Sequence, residues 1–141
     1  MSISGVLWRF LAAYIVLMVV VVVAFQLLGV SSNSGVNVGI LIGAVLWPCM
    51  AFGTRNKRYF TAPEKKKVMW GMIGINLALQ GLVGGAALAA EGKLNLGALV
   101  IGLLVVGVLH SLAIAYFVRL GGKLFEKQLQ NQLQKQAATG E

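Results

Sequence analysis

Four uninterrupted apolar runs, each close to the length needed to cross a bilayer, decide what this chain can become. The hydrocarbon core is about 30 Å thick and takes about 20 helical residues to span. The runs cover about 10–30, 36–52, 68–90 and 96–118, the second near the short limit. In lipid every backbone N–H and C=O must be satisfied within the protein, so only helices and closed barrels can span. None of the runs shows the apolar/polar alternation of barrel strands, which leaves helices. The expected fold class is all-α: an integral membrane four-helix bundle of two helical hairpins, a single transmembrane domain over residues 1–141. Composition agrees. Only 11% of residues are charged and Asp is absent, whereas soluble domains carry roughly 25% charged residues.

The first run could resemble a secretory signal, but signals have apolar cores of about 7–15 residues. Here the core is longer, only Arg9 precedes it, and Val30-Ser31-Ser32 is a poor cleavage sequence. It reads as an uncleaved span.

The net charge of +8 lies in short stretches beside the runs. This is how topology-setting charge is distributed, and it argues against nucleic acid as the partner. The loop 54–67 carries Arg55, Lys57, Arg58, Lys65, Lys66 and Lys67 against Glu64. Arg9, Arg119, Lys123, Lys127 and Lys135 fall on the same side, while Lys93 stands alone on the other with Ser31–Gly35 and Glu91. The positive-inside rule therefore predicts a cytoplasmic loop and both termini in the cytoplasm. Basic clusters at a membrane face attract anionic headgroups by about 1 kcal/mol per residue. Trp47, Tyr59, Phe60 and Trp70 stand around the loop, and Tyr and Trp suit the headgroup belt.

Thr61-Ala-Pro-Glu64 reads as a capping box, with Glu64 reaching back to the Thr61 amide. It predicts a third helix over about Ala62–Ala90, about 43 Å long, whose basic first turn stands outside the hydrocarbon. Within the membrane, close packing and polar contacts must hold helices together. Gly39 and Gly43 form one GxxxG and Gly81 and Gly85 another, with Gly71 and Gly74 as a further small patch. Packing within one chain and homo-oligomerisation both remain open uses. Pro48 predicts a kink near Ala44–Trp47.

Intramembrane polar groups are costly and are where function is sought. Tyr14 and Gln26 lie on the first span, Asn76 and Gln80 on the third, His110 and Ser111 on the fourth. Asn76 and Gln80 share a helix face, and Asn76 and His110 sit at similar depth from their loop-side ends. One reading makes Asn76, Gln80, His110 and Ser111 an interhelical clamp, each hydrogen bond worth about 0.6 kcal/mol. The other makes His110 a protonatable group in a transport path. No Asp or Glu lies within any span, so the membrane carboxylate on which small proton-coupled four-helix exporters depend is missing. No Walker loop, HExxH, GxSxG or Cys/His metal spacing occurs, and Cys49 is single. No catalytic residue, metal or cofactor is expected.

Beyond the fourth span, the tail 120–141 carries Phe125, Leu129 and Leu133 as a narrow apolar stripe. It is rich in Gln and expected to be only moderately helical, fraying over Ala137–Glu141.

The stretch Phe52, Asn56-Lys-Arg58, Thr61 and Glu64-Lys-Lys, leading into an apolar helix, resembles a family of small, uncharacterised four-span bacterial inner-membrane proteins with a basic cytoplasmic loop between two hairpins. The resemblance implies that architecture and a bacterial inner (plasma) membrane location, and carries no activity. The leading expectation is a non-enzymatic accessory or scaffold protein that binds anionic lipid, a membrane-protein partner or itself. The alternative is a small oligomeric transporter or channel with a polar path at Asn76, Gln80 and His110.

Overall fold

A computed structural model describes residues 1–29, 34–92 and 95–139. Its helices α1 (Ile3–Leu28), α2 (Ser34–Asn56), α3 (Ala62–Ala90) and α4 (Leu96–Thr139) follow the four apolar runs, and no strand occurs among the described residues. All four are long and apolar enough to cross a membrane, so the chain is a multi-pass membrane protein. Of the connections expected opposite the basic loop, residues 31–33 and Lys93 lie outside the described residues, as does the end of the tail at 140–141. Ser34 and Gly35 already belong to α2. Pro48 is buried inside α2, which continues through it.

Both hairpins form. α1 packs against α2 and α3, and α4 packs against the same two, so α1 faces α4, and α2 faces α3, across the diagonals of a four-cornered bundle. Trp8, Trp47, Trp70 and Tyr116, one from each helix, are 71%, 56%, 66% and 62% exposed. Arg9 lies over the Trp47 ring at 5.9 Å, and Leu7 abuts Gly71, which sets α1, α2 and α3 in register there. Exposed Trp and Tyr at one height form an interfacial belt. From this belt to the far ends of α1, α3 and α4 is about 20 residues each, roughly the 30 Å of a hydrocarbon core. The basic residues of the loop and tail lie on the other side of the belt. Between Trp47 and the start of α2 there are only about 13 residues, roughly 20 Å.

Packing is uneven along the bundle axis. The core is concentrated near the belt and below it, in Val6, Phe10, Phe52, Met72, Ile114 and Val118, all at most 1% exposed. The distal half is built from Val on α1 and from Gly and Ala on α3. Such short side chains do not fill the space between four helices, and α2 is short there. The distal half consequently stands open.

The link between α2 and α3, residues 57–61, must cross a diagonal. Lys57, with φ 55°, reverses the chain after α2 in the left-handed region, which costs a non-glycine residue roughly 1 kcal/mol or more. Phe60 then enters the bundle, 6% exposed, its ring centroid 4.2 Å from that of Phe52. Tyr59 lies against α4, where its hydroxyl donates to the Val118 carbonyl at 2.6 Å. A Cβ built on Gly121 would stand 2.8 Å from that hydroxyl oxygen, one on Gly122 3.0 Å from the ring, and one on Gly53 2.6 Å from the Phe125 ring. These glycines are needed for close approach. Tyr59, expected in the headgroup belt, is instead packed with Phe60 into the bundle end, and the belt at this level is formed by Trp and Tyr116. The expectation failed because a short diagonal link must run over the bundle's end and bury what it carries.

Below this seat α4 continues unbroken to Thr139, more helical than its Gln-rich sequence suggests. Two adjacent glycines cost a helix roughly 1 kcal/mol each, and Tyr59 and Phe125 packed on the glycine face offset that. The chain's amino group donates to Asn56 Oδ1 at 2.5 Å, and Asn56 Nδ2 donates to the Met1 carbonyl at 3.1 Å, tying α1 to the end of α2.

The start of α3 is held as its sequence indicates. Glu64 accepts from the Thr61 amide and hydroxyl, both at 2.9 Å, and takes a two-pronged pair from Arg58 at 2.6 and 2.9 Å. Arg58 also lies over the Phe52 ring at 5.6 Å. The Arg58 hydrogen bonds, then those of Thr61, hold the Glu64 carboxyl at about 2, below its ordinary 4.5. Because the folded value is the depressed one, this anchoring is complete above pH about 4.5 and is lost as pH falls toward about 2. Side-chain NMR shifts of Arg58 and Thr61 should stay flat from pH 7 to 5 and move only below that, a transition that Glu64→Gln should abolish.

Tyr59→Phe should cost about 1 kcal/mol for the lost hydrogen bond. Gly121→Ala displaces the whole ring and should cost about 1–3 kcal/mol. Denaturant unfolding of both variants in one detergent checks the order; equal stabilities would show that the seat carries no strain.

Candidate functional site

The deepest polar groups converge where the packed half meets the open half. Tyr14 and Asn76 are each six residues beyond their helix's belt aromatic and His110 is six before Tyr116, so all three lie about 9 Å into the hydrocarbon. Tyr14 is 5%, Asn76 1% and His110 8% exposed. Asn76 Nδ2 lies 3.2 Å from His110 Nδ1, and Gln80 Nε2, one turn further along the same face of α3, contacts the same ring nitrogen. Tyr14, from α1, lines the same cavity end as Gln80 and His110, which brings α1 into the group.

Both amides meet the ring at Nδ1, which leaves Nε2 as the imidazole's free nitrogen. The arrangement has a cost. Asn76 Oδ1 is fully buried and has no hydrogen-bond partner, and an unsatisfied buried acceptor is worth about 1–3 kcal/mol of lost stability. A clamp serving only to hold α3 to α4 gains about 0.6 kcal/mol per bond, which does not cover that loss.

Above the group opens a cavity of about 780 Å³ lined by all four helices. Tyr14, Gln80 and His110 form its inner end; nearly all of the remaining wall is apolar, from Met18 to Phe25 on α1, and from Leu99 to Leu109 on α4. Beneath the polar group lie Phe10, Met72 and Ile114, fully buried, so the cavity is closed on the belt side. Ser111, half-buried, takes no part in the hydrogen-bonded group, and Gln26 is exposed near the distal end of α1.

The other sequence-derived residues are distributed as follows. Arg58 is committed to Glu64, while Arg55, Lys57, Lys66 and Lys67 are exposed and Lys65 is half-buried. A Cβ built on Gly39 meets nothing within 4 Å, one on Gly43 would be 3.3 Å from Leu17, and those on Gly81 and Gly85 would be 3.7 Å from Leu103 and Leu99. The Gly81 and Gly85 face thus looks at α4 within the chain. Closer helix contacts occur at Gly71 against Leu7 and at Gly107 against Leu77, each 2.7 Å from a built Cβ. Tyr14 is placed by the sequence among the polar residues inside the membrane but is not joined by it to Gln80 and His110. Its six-residue spacing from Trp8, matching that of Asn76 from Trp70, was the available signal.

No protein-family model, curated protein or solved structure matches this chain, so its function is argued from this geometry.

Asn76→Leu removes the orphaned carbonyl together with one interhelical hydrogen bond, in a side chain of similar size. It should leave stability unchanged or raise it by about 1 kcal/mol. Unfolding in bicelles tests this; a clear loss would make the pair a stabilising clamp.

Proposed function

We propose that this protein is a non-enzymatic membrane module of the bacterial inner membrane, with loop and termini in the cytoplasm, that binds anionic lipid through its basic loop face and presents its α4 extension to a membrane partner. The observation that carries the reading is the segregation of charge. The basic side chains of loop and tail stand on one side of the aromatic belt, and the loop's one carboxylate is already taken by Arg58. Arg55, Lys57, Lys66 and Lys67 are left pointing outward, at the height where headgroups lie. The positive-inside rule orients that face to the cytoplasm.

The α4 extension supports the accessory role. Phe125 is buried against the Gly53 and Tyr59 surface, whereas Leu129 and Leu133 are 40% and 57% exposed along the same stripe. A helix this long curves only gently, so the extension leaves the bilayer along the span's axis and does not lie down on the membrane. Its stripe is offered to a partner above the headgroups.

The second reading, a small oligomeric transporter or channel, draws on the cavity that reaches Gln80 and His110. It requires a continuous polar path, and Phe10, Met72 and Ile114 close that path on the belt side. The accessory reading needs no such rearrangement.

Replacing Lys65, Lys66 and Lys67 by Gln should lower retention of phosphatidylglycerol at least tenfold, given about 1 kcal/mol per basic residue near an anionic surface. Native mass spectrometry from nanodiscs of mixed phosphatidylglycerol and phosphatidylcholine reads this directly. Equal retention by the triple variant would overturn the lipid-binding role.

A further inference from the structure

We propose that the cavity between the four helices is a binding site for a neutral, lipophilic molecule whose leading end carries a carbonyl acceptor, received by the Nε2–H of His110. The site is separate from the basic loop face, and either reading can fail without the other.

Size and lining define the body of the ligand. About 780 Å³ lies within the roughly 300–1,000 Å³ of small-molecule sites, which are mostly apolar with a few convergent polar groups. Apart from Asn37 on α2, the walls are Val, Leu, Ile, Phe, Met and Ala side chains with glycine, suited to an alkyl or isoprenoid-like tail.

The inner end defines the head. Asn76 and Gln80 both hold His110 at Nδ1, and the proposed site uses the tautomer in which both amide nitrogens donate there, with the ring proton on Nε2. His110 lines the cavity, and among the described residues its Nε2 is hydrogen-bonded to no protein atom. A donor is therefore held in place at the end of an apolar chamber, with the Tyr14 hydroxyl beside it. Among the described residues no Asp, Glu, Lys or Arg lines the cavity, so a carboxylate or phosphate reaching this depth would be an uncompensated charge in hydrocarbon. A neutral carbonyl matches the donor and carries no charge.

The orphaned Asn76 carbonyl belongs to the same arrangement. Asn76 is 1% exposed and leaves Oδ1 unpaired while its nitrogen orients the ring. Asn76 is thus a positioning residue, and His110 is the group that touches the ligand.

A neutral carbonyl on a lipophilic body occurs as the ring ketone of a quinone and as the ester of an acyl lipid. The protein contains one histidine, so imidazole labelling with nitrogen-15 yields the signals of His110 alone. The full chain in nanodiscs is titrated with a decyl-substituted benzoquinone, with methyl laurate and with dodecane, followed by the His110 Nε2 resonance. Either carbonyl probe should shift it saturably, and dodecane should leave it in place. Saturation by the quinone alone assigns a quinone-type ligand; saturation by the ester assigns an acyl lipid. His110→Phe, which keeps the ring volume and removes the donor, should weaken binding of the shifting probe at least tenfold in a radiolabel competition assay. Asn76→Leu should weaken it less and should alter the Nε2–H to Nδ1–H tautomer ratio seen in the nitrogen shifts. The proposal is overturned if dodecane shifts the resonance as the carbonyl probes do, if neither carbonyl probe binds, or if His110→Phe binds equally well.

Discussion

The fold turns on how a five-residue link joins two helices that do not pack along each other. α2 and α3 occupy opposite corners, so residues 57–61 must pass over the end of the bundle, and whatever they carry is pressed against α4. The Tyr59 hydroxyl on the Val118 carbonyl and the ring on the Gly121–Gly122 face make that crossing stable. The glycines are a requirement of the link, because a side chain at either would collide with Tyr59. The Arg58–Glu64–Thr61 group on the solvent side pins the other end of the link to the first turn of α3. One half of the bundle is thereby closed and rigidified.

The same asymmetry produces the candidate site. Large aromatic and aliphatic side chains fill the half near the link, while Val, Gly and Ala leave the distal half open around a cavity. Polar groups placed at the boundary are shielded below by packed apolar residues and face a hydrocarbon-like chamber above. In that setting an imidazole held at Nδ1 by two amides is fixed in orientation. The Asn76 carbonyl is left unpaired at this boundary.

Much of this was legible in the chain. Span number follows from run length, the loop side from Arg55 to Lys67, and the start of α3 from Thr61 and Glu64, all of them local properties. The pairing of Asn76 with His110 could be anticipated from equal depth on adjacent helices, since depth is a count of residues from a helix end. The placement of Tyr59 and Phe60 could not, because an aromatic beside lysines suits a headgroup belt equally well, and only the diagonal crossing buries it. The unbroken course of α4 through Gly121-Gly122 was likewise hidden, as glycine pairs end helices unless something packs on them.

The sequence by itself determined that the chain is a membrane bundle of four helices with one basic end, because hydrophobic length and charge placement act locally and need no knowledge of neighbours. Only the tertiary structure decided which helices lie on which diagonals, and with that which glycines are close contacts and which face open space. It also decided that Tyr14, Gln80 and His110 end a cavity. Those facts depend on the relative positions of residues far apart in the chain, set by side-chain volume in the closed half and by its shortage in the open one.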